Sequence, residues 1–344
     1  MRVLVLSTMV PFVHGGAEIQ RDALLVRLRR RGIAAEAMSL PFLWEPYERV
    51  VEEMVLARSL RIARADRVIA LKFPAYLVPC ESKVVWLIHQ YRQAYDMFEA
   101  GHSNIPQTAR GAALRAMVAA ADTSALTEAR SVFTSSPVTR DRLLRFNGLE
   151  AAVLPVPLDD PERFGGGPSD GYIVATGRVG ALKRQWLLLR ALRHAPGVRA
   201  VIAGPPDRPQ DAEELRRLLE AEGLSDRVRL VLRFLPRDDL AELVNRSLGV
   251  ACLPFEEDTA SFVAMEAFQA GKPVLTLTDS GGVLDLVRDG ETGWVAAPTP
   301  ESLGAALRAM AAAPAEAAAR GEAGRRAFLA RGVAWPQTLD RLLA

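Results

Sequence analysis

Short apolar runs alternate with longer segments of helical periodicity along the whole chain. The runs show no regular alternation with polar residues, which predicts strands that are buried on both faces. The predicted strands are Val3–Leu6, Ile33–Met38, Arg67–Leu71, Val84–Ile88, Ser131–Thr134, Ala152–Val156, Tyr172–Ala175, Arg199–Ala203, Val228–Leu232, Val250–Leu253, Val274–Leu277 and Trp294–Ala296. Because buried strands separated by helices are typical of parallel sheets, the pattern predicts an α/β fold.

Helix boundaries are marked by capping residues. Asp211 is predicted to cap a helix that Gly223 ends, and Pro300 opens another. The segment Trp335–Ala344 has the pattern of a short amphipathic helix. We expect that helix to cross back onto the first domain.

A Gly- and Pro-dense stretch at 159–168 divides the chain into halves with the same strand–helix rhythm. The 344 residues are too many for one ordinary core, so two domains are expected. They are predicted at 1–160, with the C-terminal helix 335–344 joined to it, and at 169–334. Two such sheets facing each other leave a cleft at the carboxyl ends of their strands, where α/β folds bind ligands.

The composition is that of a globular enzyme, with 49% hydrophobic and 24% charged residues. The net charge is only +2, from 43 basic and 41 acidic residues, which gives no support for a nucleic-acid partner. Cys80 and Cys252 fall in different predicted domains and indicate no disulfide, so a reducing cytoplasm is expected. The N-terminal run predicts a first strand rather than a signal peptide, and no run reaches the ~18 apolar residues of a membrane span.

The segment 258–277 is the most informative, because Glu266 lies within an otherwise apolar helical run. A buried carboxylate is costly unless a partner pairs with it. The predicted helix begins near Ser261, and free N–H groups at a helix start favour an anion. A carboxylate beside an anion site suggests a ligand with both phosphate and hydroxyl groups, such as a nucleotide sugar.

Two cations follow the first strand of the second half, which ends at Gly177. Arg178 and Lys183 are five residues apart, and together they could clamp a diphosphate. Two solvated surface cations are the alternative. Their expected position opposite the Glu266 segment favours the clamp.

Two features of the first half are compatible with ligand contact and with a purely structural role. Gly15 and Gly16 follow the first strand and open a helix, where they could present N–H groups to a ligand or simply form a tight turn. His89 ends a strand on the side of the expected cleft, as a sugar or phosphate contact or as a structural histidine.

Several common cofactor motifs are missing from the sequence. It has no DxD pair in a metal-binding context and no His/Cys cluster with ligand spacing, so we predict no metal site. A Walker A motif is missing, and so is GxGxxG after the first strand. We therefore expect no cofactor, with a nucleotide-diphosphate sugar as substrate.

With these motifs placed, the chain resembles the retaining glycosyltransferases of the GT-B fold, family 4, also called glycosyl transferases group 1. The resemblance spans nearly the whole chain and implies two facing Rossmann-like domains with parallel sheets and an interdomain cleft. In the first half, Gly15 and Gly16 match the glycine-rich loop, and His89 matches a histidine that ends a middle strand. In the second half, Arg178 and Lys183 match the residues that hold the donor diphosphate. Glu266 and the following segment Ala270–Val274 also match the family.

The family pairs two acids in the pattern E-x7-E, the first contacting the donor sugar and the second the ribose. Glu266 matches the second acid. Asp258 stands eight residues before it, whereas a one-residue insertion would make Glu257 the equivalent. The family usually has Gly-Phe-Gly after the first acid, but Thr259, Ala260 and Ser261 follow here.

The resemblance implies transfer of a sugar from a nucleotide donor to an acceptor hydroxyl with retention at the anomeric carbon. The two cations would stabilise the departing diphosphate without a metal. Base recognition is expected near Phe234 and Leu235, through backbone groups. Alternatives are a catalytically weak nucleotide-sugar-binding subunit, or an epimerase on the same fold.

The acceptor is expected to be a glycan or a lipid-linked saccharide. The predicted location is the cytoplasm. Arginines cluster along the first helix, at Arg21, Arg27, Arg29, Arg30 and Arg31. A solvated helix face is the favoured interpretation, and contact with anionic lipid headgroups is the alternative, which leaves peripheral membrane contact open.

Overall fold

A computed structural model describes residues 1–258 and 261–344, which form two compact units. The first unit comprises Met1–Pro157 and Val333–Ala344, and the second comprises Leu158–Gly332. Within the described residues, each unit contains one parallel sheet of six strands.

The first unit alternates strands with helices. Its strands are β1 Arg2–Met9, β2 Ala34–Pro41, β3 Arg67–Ala70, β4 Lys83–Leu87, β5 Ser131–Thr134 and β6 Ala152–Val153. Its helices are α1 Gly16–Arg30, α2 Val50–Ser59, α3 Asp96–Glu99, α4 Ala109–Thr127, α5 Pro137–Asn147 and, at the end of the chain, α12 Trp335–Leu343.

The first sheet has the strand order β2-β1-β3-β4-β5-β6. The chain therefore moves outward in one direction from β1 to β2 and in the other direction from β3 onward. This reversal between β1 and β3 is a topological switch point. Helix α12 packs on this unit, where the Trp335 ring meets Trp86 edge to face at 6.2 Å.

The second unit repeats the alternation. Its strands are β7 Tyr172–Thr176, β8 Arg199–Ala203, β9 Val228–Val231, β10 Gly249–Ala251, β11 Val274–Leu277 and β12 Gly293–Ala296. Its helices are α6 Gln185–Leu192, α7 Pro209–Ala221, α8 Arg237–Asn245, α9 Phe262–Gln269, α10 Pro300–Ala312 and α11 Pro314–Ala330.

The second sheet has the strand order β12-β11-β10-β7-β8-β9, the doubly wound order of nucleotide-binding domains. Its switch point lies between β7 and β10, which pair directly. Side chains of β7 alternate between two cores: Ile173 and Ala175 enter one, and Val174 enters the other. Because both faces are buried, the strand lacks the polar alternation of an exposed sheet.

Every predicted strand corresponds to an observed strand, which confirms the α/β fold. Two details differ from prediction. The cap of α7 is Arg208, and Asp211 lies three residues into the helix, where its carboxylate accepts the Arg208 N–H at 2.9 Å. The stretch 159–168, predicted as a linker, packs on the second unit because Phe164 is fully buried in its core.

Candidate functional site

The loop after β7 begins at Gly177, which takes a φ of +101°. It runs against the loop after β8, since a Cβ on Gly204 would lie 1.9 Å from the Gly177 carbonyl oxygen. Glycine is required at both crossing positions, because side chains there would collide or adopt strained backbone. The crossing fixes the path of the loop that carries Arg178 and Lys183.

Lys183 lies at the end of this loop and forms an ion pair with Glu257, which follows β10. The pair therefore spans the switch point between β7 and β10, where doubly wound folds bind ligands. The Lys183 side chain is 34% exposed and that of Glu257 is 19% exposed. The Lys183 ammonium is thus paired but open to solvent, so a soluble anion can reach it.

Cys252 lies beneath this pair, at the carboxyl end of β10. Burial raises the pKa of its thiol to about 12, and the charges of Glu257, Lys183 and Glu266 all act on it. Its sulfur lies 3.5 Å from the Ser261 hydroxyl at the start of α9. Four of the predicted site residues are therefore grouped around one buried thiol.

Arg184 holds three loops together at this edge. Its guanidinium donates to the carbonyl oxygens of Leu253 at 2.7 Å and Pro254 at 2.6 Å, and to both carboxylate oxygens of Asp279 at 2.7 and 2.8 Å. The side chain is almost fully buried. Sequence analysis missed Arg184, and adjacency to Lys183 is the one signal that could have found it.

A glycine pair after β11 fixes the segment that carries Glu257. The Gly282 N–H donates to the Glu257 carbonyl at 2.8 Å. Gly281 has a φ of +59°, and a Cβ there would lie 2.6 Å from the Glu257 backbone. These glycines thus set the position of the acid.

Arg178 does not share the carboxylate partner of Lys183. Its guanidinium pairs with Asp207 at 2.7 Å, and both side chains are about one third exposed. The two predicted clamp cations are therefore on one loop but bound to different carboxylates. An anion that bound both would have to displace Asp207 as well as Glu257.

Glu266 lies on α9, as predicted, and it is 3% exposed. Its partner is Arg237 at the start of α8, whose guanidinium donates to Oε1 at 2.5 Å. Burial raises the pKa of Glu266 to about 7, although the Arg237 charge opposes that rise. No sequence motif marked Arg237, because the pairing depends on two helices 29 residues apart.

The remaining predicted residues of this unit lie after β10, at the start of α9 and after β9. Asp258 is buried, and Phe234 and Leu235 follow β9, with Phe234 exposed and Leu235 buried. Ser261 takes a φ of +48° at the start of α9. Thr259 and Ala260, where the sequence departs from the Gly-Phe-Gly pattern, lie outside the described residues.

Gly15, Gly16 and His89 belong to the first unit. The Gly15 N–H donates to the Glu18 carboxylate at 2.8 Å, and Lys72 pairs with the same carboxylate at 3.1 Å. The N–H that was predicted to meet a ligand is therefore already bound. The Nδ1 atom of His89 lies 2.7 Å from the Gln90 carbonyl oxygen.

Arginines of α1 have partners within the first unit. Arg21 pairs with Asp22 and contacts Ser39, Arg29 donates to the Ala35 carbonyl, and Arg31 pairs with Asp340. These contacts favour the interpretation of a structured helix face over a free cationic patch.

Residues 1–258 and 261–344 contain neither a cluster of metal-ligand side chains nor a membrane-spanning helix. There, no three His, Cys, Asp or Glu side chains are grouped as a metal site would require. No helix in the same ranges has the length and hydropathy needed to cross a membrane.

The second unit is similar to a known protein family. Residues 160–327 match the family model described as glycosyl transferases group 1. The D-inositol 3-phosphate glycosyltransferase of Mycolicibacterium paratuberculosis is 38% identical over 184 residues, which are 52% of this chain and 40% of that protein. This chain thus matches well under two thirds of the length of that relative.

Solved structures of other proteins are similar in fold to this chain over nearly its whole length. Anabaena HepE in complex with UDP and glucose has a TM-score of 0.76 at 18% identity and covers 100% of this chain and 99% of its own. WaaG, described as a glycosyltransferase involved in lipopolysaccharide biosynthesis, has a TM-score of 0.70 at 16% identity over 98% of both chains. These matches confirm the GT-B fold, and residues 160–327 match the family model of the glycosyl transferases group 1.

Proposed function

We propose that this protein is a retaining glycosyltransferase that moves a sugar from a nucleotide-diphosphate sugar to an acceptor hydroxyl. The observation that carries the proposal is the Lys183–Glu257 ion pair across the β7/β10 switch point. An ammonium that is held at a ligand-binding edge, yet partly exposed, is suited to exchange its carboxylate partner for a diphosphate.

Charge development at the leaving group determines the roles of the cations. As the bond from sugar to diphosphate breaks, negative charge accumulates on the departing oxygen. Lys183 would neutralise that charge from a fixed position, with Arg178 as the second cation after release from Asp207. The diphosphate would thus take the places of Asp207 and Glu257 beside two cations that lie on one loop.

The acids would bind the other parts of the donor. Glu266 would accept hydrogen bonds from ribose hydroxyls, and either Glu257 or Asp258 would contact the sugar. Glu257, once released from Lys183, could accept hydrogen bonds from the hydroxyl groups of the sugar. Phe234 is 66% exposed after β9 and offers an apolar surface for the base, beside the backbone groups of Leu235.

Retention and independence from metal are parts of the same proposal. A diphosphate oxygen would accept the proton of the acceptor hydroxyl on the face from which the leaving group departs, so no enzyme base is needed. NMR of the product in the first minutes of reaction would show retention of the donor anomer. Activity that survives EDTA would support a metal-free mechanism, and loss that Mg²⁺ restores would contradict it.

The first experiment is a thermal-shift screen with UDP, GDP, ADP and dTDP sugars, because a ligand that binds only the folded state stabilises it. UDP sugars come first, since HepE was solved with UDP and with UDP-glucose. Release of the nucleoside diphosphate from a stabilising donor would support a transferase. Binding with no turnover in the presence of candidate acceptors would instead support a weakly active binding subunit.

We propose a glycan or lipid-linked acceptor, a cytoplasmic location and peripheral contact with the membrane at most. The family match lies in the second unit, so the inositol phosphate named for the relative is one acceptor to test among others. Co-flotation with anionic vesicles at low salt, lost at high salt, would support membrane contact.

A further inference from the structure

Glu266 depends on one arginine for its charge compensation. Among the described residues, Arg237 donates a hydrogen bond to its carboxylate, at Oε1. The other oxygen, Oε2, is the atom that could accept a hydrogen bond from a hydroxyl group of a ligand. Glu266 would accept such a hydrogen bond most strongly when ionised, and burial at 3% exposure opposes that ionisation.

We propose that Arg237 is the positioning residue that holds the Glu266 carboxylate and favours its ionised form, and thereby enables it to bind the hydroxyl groups of the nucleotide donor. This inference rests on the proposed function of the site. Arg237 would act through Glu266 and would touch no reacting atom.

The position of Arg237 is fixed from two further sides. Its Nε and Nη2 donate to the two oxygens of Asp160, each at 2.8 Å, while Nη1 is directed at Glu266. The guanidinium also lies over the Phe164 ring, 4.7 Å from its centroid. A planar fork can serve two carboxylates at once, which a lysine ammonium cannot reproduce in the same geometry.

The charges around Glu266 oppose one another. From α8, Arg237 favours the carboxylate, and from the segment before β7, Asp160 disfavours it. Cys252 at the end of β10 stays a neutral thiol near pH 7, because burial raises its pKa. Helix α11 meets α9 through apolar contact of Phe268 with Gly324, and β11 has no charged side chain. Among the described residues, removal of Arg237 would thus leave burial and the charge of Asp160 acting on Glu266, and both favour the protonated acid.

The test compares Arg237→Gln with a matched substitution of another arginine. Arg163 also pairs with Asp160, at 3.1 Å, but has no hydrogen bond or ion pair to Glu266 among the described contacts. Arg163→Gln therefore removes one arginine from the same carboxylate and leaves the Arg237–Glu266 contact in place. Arg237→Lys keeps a positive charge near Glu266 and serves as the conservative variant.

The measurement is the dissociation constant of UDP by calorimetry between pH 6 and 9 for each variant. We expect Arg237→Gln to weaken binding about tenfold or more at pH 7 and to recover most of the loss at pH 9, since an opposite charge at this range shifts a carboxyl pKa by about 1–3. Arg237→Lys should recover binding at lower pH than Arg237→Gln. Arg163→Gln should follow the wild type.

An unchanged pH dependence in Arg237→Gln, with wild-type binding intact, would overturn this inference and leave the proposed function standing. If the wild type binds none of UDP, GDP, ADP and dTDP, the proposed function fails first. If Arg237→Gln does not fold, Glu266→Gln replaces it. That variant should bind UDP weakly, without the wild-type dependence on the ionisation of Glu266, and binding equal to the wild type at every pH would overturn the inference.

Discussion

The two sheets each have a Lys–Glu ion pair across their switch point, but the pairs differ in exposure. In the first unit, Lys72 follows β3 and pairs with Glu18 at the start of α1, with side chains 16% and 10% exposed. In the second, Lys183 and Glu257 are 34% and 19% exposed. The same topological position thus has a closed pair in one unit and an open pair in the other.

The two pairs also differ in the partners of the carboxylate. In the first unit, Glu18 accepts the Gly15 N–H and the Lys72 ammonium together, so the chain supplies its own anion. Burial opposes ionisation of Glu18, but these two partners outweigh it and lower its pKa. In the second unit, Glu257 bonds to the cation from a neighbouring loop. The buried Glu18 carboxylate stabilises the fold, whereas the more exposed Glu257 carboxylate can be exchanged for a ligand anion at Lys183.

The strongest way to break this comparison is to remove each lysine and measure turnover. We expect Lys183→Ala to lower kcat for a donor by about a hundredfold to a thousandfold, the effect of losing one preorganised group that stabilises the leaving charge. Lys72→Ala should change kcat little when assayed below its melting temperature. Equal losses in both variants would mean that the first pair also meets the substrate.

The second test concerns stability, where the order should reverse. Lys72→Ala leaves a nearly buried carboxylate with backbone N–H partners and no cation, which should cost about 3 kcal/mol in the free energy of unfolding. Lys183→Ala breaks a more exposed pair and should cost about 1 kcal/mol or less. Calorimetric melting of both variants checks this order. A larger loss for Lys183→Ala would show that the open pair is the structural one.

The strands and Lys183 could be predicted from sequence because both are local signals. A run buried on two faces, such as Val274–Leu277, is marked by its own composition. Lys183 was marked by its place after a strand. Glu257 likewise follows a strand, β10, which pairs with β7, so its position could be predicted in the same way.

The contacts that hold the site could not be predicted, because they join residues far apart in sequence. Arg184 bonds to carbonyl oxygens about 70 residues later, and backbone acceptors leave no residue signature. Arg237 needs Asp160 and Glu266 together, a pairing fixed only by tertiary packing. The Gly15 contact is different, because Glu18 stands only three residues away and the local pattern of a helix start could have shown that its carboxylate accepts the Gly15 N–H.

A third prediction sharpens the role of the glycine pair on the open side. Gly281→Ala forces a side chain onto a φ of +59° and within 2.6 Å of the Glu257 backbone. Gly290→Ala has a comparable φ of +75°, but its Cβ would meet nothing within 4 Å. Both variants should lose about 1–2 kcal/mol from backbone strain. Only Gly281→Ala should also displace Glu257 and lower donor affinity, so equal affinities would contradict the assigned role.

The smallest expected effect is the opposite pH dependence of the two acids, Glu18 and Glu266. The folded state lowers the pKa of Glu18 below 4.5, so its contribution to stability is present above pH 4.5 and is lost as pH falls through the lowered value. It raises the pKa of Glu266 from 4.5 to about 7, so that contribution is present below pH 4.5 and is lost as pH rises through 7.

Substitution by glutamine removes each titration, and the variants should therefore diverge from the wild type in opposite directions. The deficit in melting temperature of Glu18→Gln should shrink as pH falls below 4.5. Glu266→Gln should gain stability relative to the wild type as pH rises from 4.5 to about 7, by at most about 1.4 kcal/mol for each pH unit. Calorimetry at matched ionic strength measures both curves. Parallel curves for the two variants would mean that the two carboxylates share one environment, and the contrast between a structural anion and a ligand-binding acid would not hold.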